Sequence, residues 1–193
     1  MNKDLLFNAL NKITPLSTDF KNYLSVHLSS HLFHKGDQMP YRPPVSETAY
    51  FIEYGLVCGV NYLTEEKVTL WFSGKDRFII PELPVPGKQF IERIEFLSPT
   101  LLIGLEFSRM KEAIRLFPEG ISVCLAIIGH KIAESNEREI LLRLPSNVRY
   151  TTVFARHPQY FIESYNDNLA SYLNLSTRHF ARLKKQFHTN NRT

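Results

Sequence analysis

The sequence predicts an α+β chain: a β-roll first, a long helix after it, and a small helical unit last. Three observations carry that prediction. Between about His31 and Phe107 the chain runs in short β-branched and aromatic segments, separated by Gly, Pro and charged turns, as closely spaced strands do. From Glu119 to Leu144 helical spacing continues without a break. From Leu144 onward the charge changes. Of 23 Lys/Arg and 19 Asp/Glu in 193 residues, seven bases and two acids lie there, which leaves 16 bases against 17 acids in the rest. Positive charge gathered in the tail is what a polyanion-binding unit needs, although a solvated basic face has the same composition.

The N-terminal "MNKDLLFNALNKI" places Leu5, Leu6, Ala9, Leu10 and Ile13 at helical spacing. "PLSTDFKNYLSVHL" reads as a second helix, with Ser17 or Thr18 able to cap it. The strand segments follow: "HLFHKGDQM", "TAYFIEYGLVCGVNYL", "KVTLWFSGKDRFIIPEL", "QFIERIEFL" and "TLLIGLEF". Gly55 and Gly59 are placed where a turn or bulge would reject a Cβ. "SRMKEAIRLFP" restores helical spacing before the long helix. In that helix Ile121, Leu125, Ile128, Ile132, Ser135, Glu139 and Leu142 step by four and three, a heptad seam that is apolar at first. Its first four residues are the expected dimer interface; the plainer alternative is a helix lying on its own β-domain. Pro145 ends the helix, Ser146 or Asn147 can cap "VRYTTVFARHP", and Pro158 closes that element.

Hydrophobic content of 44% with 14 Phe is ample for a packed core. No run of about 18 apolar residues and no export signal are visible. Cys58 and Cys124, far apart in sequence, suit a reducing compartment with no disulfide. A cytoplasmic protein is expected.

Near the C-terminus, Leu169, Ala170, Tyr172 and Leu173 form one face of a short helix. Asn174 tolerates a left-handed turn, and Ser176 can cap the helix that follows. In that helix Phe180, Leu183 and Phe187 point inward, while Thr177, Arg178, His179, Arg182, Lys184 and Lys185 form the other face. The spacing fits a helix-turn-helix with a basic recognition helix; the alternative is a plain basic hairpin.

Taken in order over nearly the full length, "HKGDQM", "YFIEYGLVCGV", "VTLWFSGKDRFI", the long helix, "VRYTTVFARHP" and "LASYLNLSTRHFARLKK" resemble the Crp/Fnr family of transcriptional regulators, especially the short form found in Bacteroidetes. The resemblance implies a cyclic-nucleotide-binding-like β-roll (double-stranded jelly-roll) over residues 1–118, a dimerisation helix over 119–144 and a helix-turn-helix DNA-binding domain over 145–193. It implies a homodimer, not an enzyme, with double-stranded DNA and RNA polymerase as partners and no membrane. Ser176, Thr177, Arg178 and Arg182 fall where the family's recognition helix begins and reads DNA; His179, Lys184 and Lys185 complete the expected contact set. Arg178 stands where the family commonly has Glu, and Asn174 where it has Gly. Little chain follows, so a β-hairpin wing is expected to be short or absent.

Cyclic-AMP binders of the family use a Gly-Glu pair for the ribose and Arg-Ser or Arg-Thr for the phosphate. Here the first pair reads Pro81-Glu82, and "GKQFIERIEF" holds no Arg-Ser or Arg-Thr. A buried phosphate without a guanidinium is costly, so cyclic AMP is not expected. The effector stays open, with Glu82, Lys88 and Arg93 as pocket candidates. His27, His31 and His34 have ligand-like spacing, but a change from helix to strand near His31 would separate them. Two cysteines are too few for an iron–sulfur cluster. The paired His-x-His and Glu of a cupin enzyme, a phosphate loop and a nucleophile elbow are not visible, so no cofactor is expected. The alternative function is a dimeric small-molecule-binding or interaction protein whose helix-turn-helix no longer reads DNA.

Overall fold

The computed structural model describes residues 2–40, 45–62, 66–81 and 92–190. Two helices come first. α1 (Lys3–Asn11) starts where Asn2 Oδ1 accepts the Asp4 N–H at 3.1 Å. α2 (Thr18–His27) starts where Ser17 Oγ accepts the Phe20 N–H at 3.2 Å, so Ser17 rather than Thr18 is the cap. The chain turns extended at Leu28, so His27 ends a helix while His31 lies in β1 (Ser29–Phe33). The three histidines therefore share no helix face.

The first sheet is antiparallel and joins β1 to β7 (Thr100–Glu106), β2 (Thr48–Tyr54) and β5 (Phe78–Ile79), in the order β1-β7-β2-β5. The second holds β4 (Val68–Gly74), β3 (Leu56–Asn61) and β6 (Glu92–Phe96), in the order β4-β3-β6. All six residues of β3 are buried. Val57 faces Tyr50 and Ile52 inside the roll, whereas Leu56, Cys58 and Val60 face the C-terminal helices. A strand covered on both faces reads as a continuous apolar run, which is the texture of "LVCGV". Both glycines do what their spacing predicts. Gly55 sits at φ 106°, where a Cβ would run into Thr100. The β3–β4 register shifts between Gly59 and Val60, and a Cβ on Gly59 would overlap the Trp71 indole.

After β7 come α3 (Phe107–Leu116) and α4 (Pro118–Leu142), which is 25 residues long. Val123 and Leu141 of α4 are buried, but Ile121, Leu125, Ile128 and Ile132 are 48–65% exposed in the single chain. The seam is therefore not buried against its own β-domain, although Ile128 borders the outer face of the first sheet. Then follow α5 (Ser146–Arg156), α6 (Pro158–Glu163), α7 (Asn166–Tyr172) and α8 (Thr177–Asn190). Two expectations change here. Neither Ser146 nor Asn147 caps α5: Pro145 holds the cap position, and Ser146 is already helical. Pro158 closes α5 and also opens α6, where its missing N–H costs nothing.

Three apolar layers result. α1, α2, α3 and α4 cover the outer face of the first sheet through Leu10, Phe20, Phe51 and Ile103. Met39, Tyr50, Phe96 and Leu102 fill the roll. Tyr150, Leu169 and Phe180 cover the outer face of the second sheet. β4 is an edge strand of that sheet, and the C-terminal half of the chain closes its edge. The Thr69 N–H donates to Ser171 Oγ (2.8 Å), and Ser171 Oγ donates to the Lys67 carbonyl (3.3 Å). Arg138 Nη2 donates to the carbonyls of Thr69 (3.2 Å) and Tyr172 (3.3 Å). An uncovered edge would be free to pair with another chain.

Candidate nucleic-acid interface

The helix-turn-helix is built by local rules. Asn174 sits at φ 51°, in the left-handed region. The Leu175 N–H bonds to the Ala170 carbonyl (2.9 Å) and the Asn174 N–H to that of Ser171 (3.0 Å). These are the two bonds of a Schellman stop, which satisfies the last carbonyls of α7. Ser176 Oγ accepts the His179 N–H at 3.2 Å and caps α8. Arg149 braces the turn, donating to the Leu142 carbonyl (3.0 Å) and the Asn174 carbonyl (3.4 Å). It was counted in sequence as part of the tail's positive charge, yet its guanidinium is engaged by backbone.

The inner face of α8 is aromatic. Phe180 is fully buried, and the Tyr150 ring lies 5.6 Å from both Phe180 and Phe187 and 5.2 Å from Phe161. This anchors α8 against α5 and α6. The opposite face is exposed: Thr177, Arg178, Ala181, Arg182, Lys185 and Gln186. Arg178, Arg182 and Lys185 follow at helical spacing on one side, and no acid occurs within α8. Ser176 is exposed as well, though its hydroxyl is occupied by capping. Thr177 Oγ1 lies 3.4 Å from Asp167 Oδ1.

Two members of the expected contact set stand apart. His179 is half-buried, with Nε2 3.4 Å from Ser146 Oγ, so it faces the start of α5. Lys184 is half-buried and donates to Asn166 Oδ1 at 3.0 Å, on the flank beside α7. The arrangement leaves a basic ridge one helix wide. Arginine on such a ridge can bond bidentately to a guanine edge, and lysine can neutralise phosphate.

The roll's candidates separate further. Glu82 and Lys88 lie outside the described residues. Arg93 pairs with Val60 in β6, on the sheet face away from the roll's interior, and is exposed, its guanidinium 5.1 Å from the Tyr62 ring centre. Strand alternation turns Glu92 inward instead, where it accepts a hydrogen bond from Trp71 Nε1. The sequence reading missed this Glu92–Trp71 pair; the alternation of Ile94 and Phe96, both buried, was the available signal. Among the described residues no group of His, Cys, Asp and Glu could hold a metal ion, and no helix is long and apolar enough to cross a membrane.

No protein-family model matches the sequence, and no curated protein matches it. Solved structures do. FixK2 from Bradyrhizobium japonicum is 14% identical, with a TM-score of 0.73 over 85% of this chain and 86% of that one. A regulator of the Crp/Fnr family from Eubacterium rectale is 13% identical, with a TM-score of 0.72 over 95% and 88%. The c-di-GMP responsive global regulator CLP from Xanthomonas campestris is 13% identical, with a TM-score of 0.67 over 91% and 93%. At these identities the likeness is one of architecture, and the architecture of this chain is that of the Crp/Fnr transcriptional regulators.

Proposed function

We propose that the chain is a homodimeric, sequence-specific DNA-binding transcription regulator, working in the cytoplasm, whose β-roll senses something other than cyclic AMP. Its parts are the sensor roll (1–118), the dimerisation helix (119–144) and the DNA-binding unit (145–193). The observation that carries the reading is the exposed ridge of α8, where Thr177, Arg178, Arg182 and Lys185 line one side of a helix anchored by aromatic rings on the other. The apolar stripe of α4 supports a dimer, because four large exposed aliphatic side chains in one line favour covering by a second copy. Two-fold symmetry then sets half-sites roughly 34–36 Å apart. A carboxylate, Glu92, faces the roll's interior, a poor neighbour for a phosphodiester.

Binding to selected and scrambled duplexes, across several salt concentrations, tests the reading. Arg182→Ala should weaken the selected site about ten- to a hundredfold and the scrambled duplex far less. Lys185→Ala should weaken both and lower the salt slope by about one unit per lost phosphate contact. Equal losses on both duplexes in Arg182→Ala would mean that Arg182 reads no base. A wild type without preference would favour a helix-turn-helix that no longer reads DNA. Ile128→Asp should leave the fold intact and shift sedimentation to monomers, since a charge buried in the seam costs several kcal/mol.

A further inference from the structure

We propose a second binding site, outside the roll, for a small uncharged apolar molecule about the size of one aromatic ring. A cavity of about 110 Å³ lies between α1 and α2, the outer face of the first sheet, and the first half of α4. Leu10, Phe20, Phe51, Ile103, Ala113 and Val123 represent its wall, and all six are buried. Among the described residues no Asp, Glu, Lys, Arg or His lines it. Tyr50, the phenol among the described lining residues, belongs to the cluster that fills the roll, and its hydroxyl donates to the Val45 carbonyl at 3.0 Å.

This composition settles the ligand's chemistry. Water needs two to four polar partners, and the described wall is almost wholly apolar. A dry cavity forfeits dispersion contacts that a matching apolar guest restores. An engineered cavity of about 150 Å³ with the same kind of lining stays dry and binds benzene; a pocket of about 110 Å³ with this lining, open on one side, suits the same class of guest. A carboxylate or ammonium would lose hydration and gain no partner. The cavity reaches Cys124, Ile127 and Ile128 on α4, and the half-exposed Ile128 marks its outer edge. The site is separate from the roll's interior and independent of whether α8 reads DNA.

Titration calorimetry and thermal unfolding with toluene test the proposal on the full chain. Toluene should bind saturably and raise Tm, and benzoate, the same ring with a charge, should bind about tenfold more weakly or worse. Val123→Phe fills the space and should abolish toluene binding; Ala113→Val is a smaller filler should the first variant unfold. Absence of saturable toluene binding to the wild type overturns the proposal. So does undiminished binding in whichever filled variant folds cooperatively, or benzoate binding equal to that of toluene.

Discussion

Helices cover both outer faces of the roll, but they hold on differently. On the first sheet α1, α2 and α3 and the start of α4 meet the strands mainly through aliphatic and aromatic side chains, with an exposed bond from the Asn2 N–H to Glu53 Oε2 (3.0 Å) at the rim, and the contact tolerates a void. On the second sheet the aromatic layer is supplemented by directed bonds: Asn168 Nδ2 to Cys58 Sγ (3.2 Å), the Thr69 N–H to Ser171 Oγ, and Arg138 to the carbonyls of Thr69 and Tyr172. Apolar burial has no preferred direction and scales with area. Hydrogen bonds have a direction, and a buried one left unmade is costly. The first arrangement attaches helices; the second also fixes where α7, and with it α8, sits relative to α4 and the roll.

Five changes break or sharpen this contrast. Phe180→Ala and Phe20→Ala each empty a fully or nearly fully buried ring site, and each should lower unfolding free energy by about 3–5 kcal/mol in denaturant. Only Phe180→Ala should also abolish selective DNA binding under conditions where both variants are folded. Arg138→Met keeps much of the side-chain volume but removes charge-assisted bonds to two carbonyls, for a loss of about 1.5–3 kcal/mol. Its guanidinium stacks 5.1 Å from Tyr172, so fluorescence of that region should change as well. An unchanged stability would mean that water replaces the guanidinium and the contact is not directional.

Ser171→Ala removes the acceptor for the edge of β4. It should cost about 1 kcal/mol and speed hydrogen exchange at the Thr69 amide before any other in β4. The smallest effect is a slope with pH. Burial, then the cations of Arg77 and Arg156, push the His157 imidazole below its ordinary 6.5. The fold thus favours neutral His157: its contribution is complete above the unfolded value and is lost as pH falls through the lowered folded value. Stability should decline below about pH 6.5. His157→Gln should flatten part of that decline and leave a remainder from His31, which burial also holds low. An identical slope in His157→Gln would assign the decline elsewhere. By contrast, burial pushes the Cys58 thiol up to about 12, so it adds no slope in this range.

Much of this was legible in the sequence because it obeys short-range rules. The caps at Ser17 and Ser176 and the left-handed Asn174 depend on partners within a few residues. The inward Phe180, Leu183 and Phe187 follow from helical spacing alone. The cap of α5 was misplaced because Ser146 and Asn147 both carry suitable oxygens, and only the backbone path decided that Pro145 precedes the first turn. Arg93 illustrates a different limit. Its strand and, through the alternation of Ile94 and Phe96, its outward face were foreseeable, but its neighbours, Val60 across the strand and the Tyr62 ring, follow from a register that no local pattern announces.

The sequence by itself determined the elements, their order, the stops and starts of the terminal helices and the concentration of cations on α8, because periodicity, capping and charge are properties of neighbouring residues. Only the tertiary structure decided which cations are committed elsewhere: Arg149 to the turn, Lys184 to Asn166, Arg138 to the edge of β4. It also decided that α7 closes that edge and that an apolar cavity remains under α1 and α2. The contacts responsible join residues from 18 positions apart, as Lys184 and Asn166 are, to 110, as Cys58 and Asn168 are. Their pairing is set by the three-dimensional packing of whole layers, which a single chain's local pattern does not encode.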